Sequence, residues 1–196
     1  MNRHKTQSQK PQPEMIVVFR RTRERGYAVE ARRADFPDLE MNPAPGYDQL
    51  IPHDLMHMVV EAQLGLYRGV FGQLASGGDA GTFHPVFTHN ETTREIARVR
   101  TRVKERGRKL LREGHDDCAQ SERATFICWQ YWRAQSQAKP ATTVSESGAL
   151  NQTRLAEICK HLDSLSSHWS KLEVGQSLAV RWPDLAICNT TCAAAA

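Results

Sequence analysis

The chain has 196 residues, of which 40% are hydrophobic, 24% charged and 7% aromatic. That length closes one domain around its own core without disulfide or metal staples, and four Trp, six Phe and four Tyr exclude a wholly disordered chain. The formal charge of +4 is unevenly spread: +6 over residues 1–33, −7 over 34–92, +7 over 93–112 and −2 over 113–196.

Residues 1–14 are rich in Gln, Lys and Pro and are expected to form a disordered tail. They contain no apolar leader, so no export signal is legible there. Met15–Arg21 is β-branched and reads as a strand, and Tyr27–Arg33 alternates apolar and polar residues as a second strand. The polar Arg23-Glu24-Arg25-Gly26 between them reads as a hairpin turn. Pro37, Pro43, Pro45 and Gly46 predict an irregular connection. Ile51–Leu64 reads as a helix with Pro52 in its first turn and Gly65 as its stop. A short second helix is expected within Leu66–Ala75, then a flexible Gly-rich loop. Gly77, Gly78 and Gly81 in that loop lack the Gly-Lys-Ser/Thr of a phosphate loop.

The box Thr92-x-x-Glu95 opens a helix whose apolar stripe is Ile96, Val99, Val103 and Leu110 and which Gly114 ends. Ala119–Ala138 is apolar over most of its surface and is expected to be the central helix. Pro140–Gly148 reads as a polar linker. Leu155, Ile158, Leu162, Leu165, Trp169 and Leu172 keep a helical spacing over five turns. Leu178, Val180 and Trp182 alternate in a final strand closed by Pro183, and the tail from Asp184 reads as unstructured. The expected fold is therefore a single α+β domain over residues 15–183. In it a small antiparallel sheet, the N-terminal hairpin plus the C-terminal strand, packs on about four helices. No apolar run approaches the ~20 residues of a membrane helix. Five cysteines without an export signal read as reduced thiols in a cytoplasmic protein.

One segment carries chemistry. Pro52-His53-Asp54-Leu55-Met56-His57-Met58-Val59-Val60-Glu61 contains H-D-x-x-H-x-x-x-E. His53 and His57 lie about 40° apart on a helix at one turn's rise, a spacing that chelates one divalent ion such as zinc. Asp54 stands where the zinc proteases carry the Glu that takes a proton from metal-bound water, so it is the candidate catalytic base. Glu61 completes the candidate metal set. Its Cα lies about 12 Å along the axis from that of His53, which favours a carboxylate accepting the other ring N–H of His57 over one bound to the ion. A third ligand is then sought in His84, His89 or Asp79. The competing reading is a buried polar network within a helical core.

With Val174–Leu178 and Trp182-Pro183, this segment resembles a bacterial protein family of uncharacterised function marked by a P-H-D-x-x-H-x-x-V-E helix. The likeness spans most of residues 15–183. His53, Asp54 and His57 are also similar to the H-D-x-x-H zinc motif of a ubiquinone-biosynthesis protein. That protein carries a Glu where this chain has Gly69, so the resemblance implies zinc without its full ligand set. The HD phosphohydrolases need an upstream His, and the only one here is His4 in the tail.

Two functions follow as expectations: a metal-dependent hydrolase built on this helix, or a non-catalytic module. The second would dock nucleic acid or an acidic protein through the basic helix 93–112, which carries nine Arg/Lys against two Glu. The milder alternative is that these charges pair within the fold. Cys188 and Cys192 have no second pair for a zinc site, and Cys118, Cys128 and Cys159 sit in helical patterns as small core residues.

Overall fold

A computed structural model describes residues 13–136 and 150–188. The linker Pro140–Gly148 and most of both terminal tails lie outside the described residues. The hairpin forms as expected from β1 (Met15–Arg23) and β2 (Gly26–Arg33), paired antiparallel with Val17 opposite Ala31 and Phe19 opposite Val29. The last expected strand, β5 (Ser177–Trp182), lies on the other side of β1, where Val17 faces Val180 and Phe19 faces Leu178.

The sheet is larger than the expected three strands. β3 (Leu39–Ala44) occupies the segment expected to be irregular and pairs with β2, and β4 (His84–Pro85) pairs with β3. β6 (Ile187–Cys188) lies inside the expected C-terminal tail and pairs with β5, so ordered chain continues past Pro183. The full order is β4-β3-β2-β1-β5-β6, antiparallel throughout. Prolines mask β3 in the sequence, yet a strand near a sheet edge tolerates residues that cannot donate.

One face of the sheet is core. Met15, Val17, Phe19, Tyr27, Val29, Leu39, Val180 and Trp182 are all buried there. Period-two alternation turns Arg20, Glu30, Arg32 and Glu40 to the other face, where Arg20 pairs with Glu40 at 3.1 Å and Arg32 with Glu30 at 3.0 Å. Buried Arg33 ties β2 to the end of α2 (Val70–Ala75), donating to the carbonyls of Leu74 and Gly78 at 2.9 Å each. Burial lowers its pKa to about 10.

The other helices are α1 (His53–Leu64), α3 (Thr93–Glu113), α4 (His115–Ser136) and α5 (Gln152–Trp169), five in all among the described residues. The box at Thr92 and Glu95 forms as expected, each closing on the other's backbone N–H. Gly65 ends α1 at φ 68°, and this left-handed turn brings the N–H of Leu66 to the carbonyl of Glu61 at 2.9 Å.

The central helix is α1, not α4. Every residue from Leu55 to Glu61 is buried, and α1 packs on α2, α4 and α5. α4 instead leaves Phe126 60% and Trp129 39% exposed. Its apolar composition serves two surfaces, a core face through Ala124, Cys128, Tyr131 and Trp132 and an open one facing a cleft.

Candidate functional site

Pro52 precedes α1 without a side-chain cap, and the first free N–H, that of His53, donates instead to the Gly46 carbonyl at 3.3 Å. Gly46 is required there. It adopts φ 71°, and a Cβ on it would stand 2.7 Å from His53 Cβ. The chain entering α1 thus holds His53 at the surface while His57, one turn on, is buried. Their rings meet edge to face with centroids 4.6 Å apart.

Both rings lie at the α1–α4 contact. A cleft of about 200 Å³ opens beside them, lined by His53, Met56, Glu122, Thr125, Phe126 and Trp129. Ser121, Glu122 and Thr125 complete the polar wall from α4. Ser121 Oγ is 2.9 Å and Thr125 Oγ1 3.3 Å from His57 Nδ1, and Glu122 Oε2 is 3.7 Å from His57 Nε2.

Glu61 is the anchor of this network. It is fully buried, and it accepts at 2.9 Å from the N–H of Val70, the N–H of Phe71 and the hydroxyl of Ser121. The two amides open α2, so the carboxylate sits at that helix's N-terminus and satisfies donors the helix leaves free. Burial nevertheless dominates and pushes its pKa up to about 7. Its contact with His57 runs through Ser121 and is not the direct bond expected. Glu61 points at α2 and is removed from the candidate metal ligands.

The network sets the state of His57. When Glu61 is ionised, the single Ser121 proton is given to it, so the contact between Ser121 Oγ and Nδ1 then places the proton on nitrogen. Nε2 then carries a lone pair turned toward Glu122. Burial first, and the neighbouring His53 second, lower the His57 pKa to about 4, so the ring is neutral at pH 7.

Asp54 also has structural employment. Tyr27 OH lies 2.5 Å from Asp54 Oδ2 and 2.5 Å from the Pro45 carbonyl. One hydroxyl proton cannot serve two acceptors, so both contacts are satisfied when Asp54 carries a proton. Burial raises the Asp54 pKa in the same direction. This strut fastens the start of α1 to β2 and leaves only Oδ1 for other work.

The remaining expected ligands are not brought to the histidines. Asp79 accepts from the Gly81 N–H and lies against Gly107 of α3, His84 is on edge strand β4, and His89 is exposed in the loop before α3. Among the described residues no three His, Cys, Asp or Glu side chains are arranged to hold an ion. Sequence reasoning missed Ser121, Glu122 and Thr125. The available signal was two small hydroxyl residues, four apart, on the same α4 face as Ala124 and Cys128. Searches against protein-family models, curated proteins and solved structures find no match to this chain.

Proposed function

We propose that His53, His57 and Glu122 take up a divalent transition-metal ion at the mouth of the α1–α4 cleft, and that the protein is a metal-dependent hydrolase. The observation that carries this reading is the geometry at His57, whose Nδ1 is held by Ser121 bonded to Glu61 while its Nε2 stands 3.7 Å from the Glu122 carboxylate. Orienting a ring through its other nitrogen is how proteins prepare a histidine for a metal. Two donors on one ion with bonds of about 2.1 Å stand about 3.0–3.4 Å apart. The 3.7 Å between Nε2 and Oε2 closes with a few tenths of an ångström of movement by Glu122, whose side chain is 71% exposed. The similarity of His53, Asp54 and His57 to a zinc motif points the same way.

A bound ion would polarise a carbonyl or phosphoryl oxygen and acidify a water. The chain's own residues would do the rest: Met56, Phe126 and Trp129 give the substrate an apolar wall, whereas Asp54, its carboxyl committed to Tyr27, is not free to act as the expected base. Cobalt(II) and zinc titrated into chelator-treated full-length protein test the reading. One equivalent is expected to bind, with His53→Ala and Glu122→Gln each weakening affinity by at least about tenfold. Both side chains are exposed, so melting curves are expected to be unchanged. Equal affinity in all three proteins, or no binding in any, would overturn the proposal. Hydrolysis of chromogenic esters and phosphate esters with and without cobalt tests the activity itself.

A further inference from the structure

Eight of the nine cations of α3 have no ion pair among the described residues. Among the described residues, the one ion pair on this helix joins Lys109 to its own Glu113 at 3.8 Å. Glu95 is occupied by the cap at Thr92. Two arginines at the edges of the packed face lie over rings, Arg100 over Phe87 at 5.4 Å and Arg106 over Phe36 at 4.6 Å, and so hold the helix on the domain. Val103 and Gly107 are its buried residues.

Six of the other seven cations, all but Lys104, share the opposite side. At 100° per residue, Arg94, Arg98, Arg102, Arg108, Lys109 and Arg112 fall within about 120° of arc and extend for about 27 Å. Glu105 is the one acid in that arc, and all seven residues are exposed.

We infer that this face of α3 binds the phosphate backbone of a nucleic-acid duplex without reading its sequence. Five of the six cations are arginines, whose planar fork matches a phosphate. The arc contains no aromatic residue on which an unpaired base would stack, which favours a duplex over a single strand. It contains no apolar anchor of the kind that dominates protein interfaces. The apolar stripe of α3 is turned into the domain at Val99, Val103 and Leu110, so the folded helix has no face to sink into a bilayer. A rod of cations, five of the six without an ion pair among the described residues, and without an anchor fits a partner that is itself a regular array of charge.

Fluorescence anisotropy of a labelled random-sequence DNA duplex, titrated with the full chain at several salt concentrations, tests this. With about five phosphates neutralised, the logarithm of affinity falls against that of salt with a slope of about −4.5. Reversing Arg94, Arg98 and Arg102 to Glu is expected to reduce the slope to about −2 and to weaken low-salt binding by more than about a hundredfold. Neutral Gln at the same positions gives an intermediate result, and Lys160→Glu with Lys171→Glu leaves binding unchanged. Circular dichroism confirms that each variant is folded. Duplex binding that survives the triple reversal overturns the inference. So does equal competition by polyglutamate, which would indicate an acidic protein, or retention by phosphatidylserine vesicles with none by duplex.

Discussion

Replacing Gly69 by Ala is expected to destabilise the protein by about 3–5 kcal/mol, although φ at this position is −68° and an alanine backbone fits it without strain. The cause is a collision with a side chain that has nowhere to go. A Cβ on Gly69 would stand 2.4 Å from Glu61 Cδ and 2.5 Å from Oε1. An exposed carboxylate would swing aside. Glu61 is 0% exposed and holds three donors at once. Moving it strands the amides of Val70 and Phe71 and the Ser121 hydroxyl, and each unmade buried hydrogen bond costs about 1–3 kcal/mol. Gly81→Ala is the informative contrast. A Cβ there meets nothing within 4 Å, but φ is 80°, so only backbone strain of about 1–2 kcal/mol is expected. Urea midpoints of the two variants separate the mechanisms, and a Gly69→Ala protein as stable as Gly81→Ala would show that Glu61 is not clamped.

The second large effect is a dependence of stability on pH that Glu61→Gln removes. In the unfolded chain a glutamate loses its proton near 4.5, whereas burial holds the proton on native Glu61 up to about 7. Between these values the native state binds more protons than the unfolded state, so this residue's contribution falls as pH rises. The shift corresponds to about 3 kcal/mol. His57 acts in the opposite sense. Its native pKa near 4 lies below the ordinary 6.5, so stability from this residue grows as pH rises from about 4 to 6.5. Asp54, raised like Glu61, adds to the decline. The wild-type profile is a sum of opposed slopes, and the variant isolates one of them. Relative to wild type, metal-free Glu61→Gln carries a fixed cost for turning an amide toward backbone donors. It is then expected to recover about 3 kcal/mol between pH 4.5 and 7. A pH-independent difference between the two proteins would show that Glu61 titrates normally.

The elements with strong periodicity were legible from the chain alone. β1, β2, α1, α3, α5 and β5 lie where alternation or helical spacing placed them, and the box at Thr92 formed as written. Short or proline-bearing strands were not legible, because β3, β4 and β6 exist by pairing with neighbours that no local pattern announces. The same limit governs the site. Spacing along one helix placed His53 and His57 side by side. Glu61 could not be assigned that way, because its partners Val70, Phe71 and Ser121 come from two other helices. Glu122 was hidden for the same reason: its meeting with His57 depends on how α1 and α4 cross. α4 was read as central because an apolar side chain facing an open cleft looks, in sequence, like one facing a core.

Because α1 supplies both the middle of the domain and two of the three proposed donors, the helices bordering the cleft have unequal freedom to change. Substitutions at His57 or Glu61 register as lost folding before they register as lost activity. Phe126 and Trp129 sit on α4 with their outer surfaces in solvent, and surface exchanges there cost little. Variation in what the cleft accepts is therefore cheap on one wall and forbidden on the other, and a library aimed at new ligands belongs on α4.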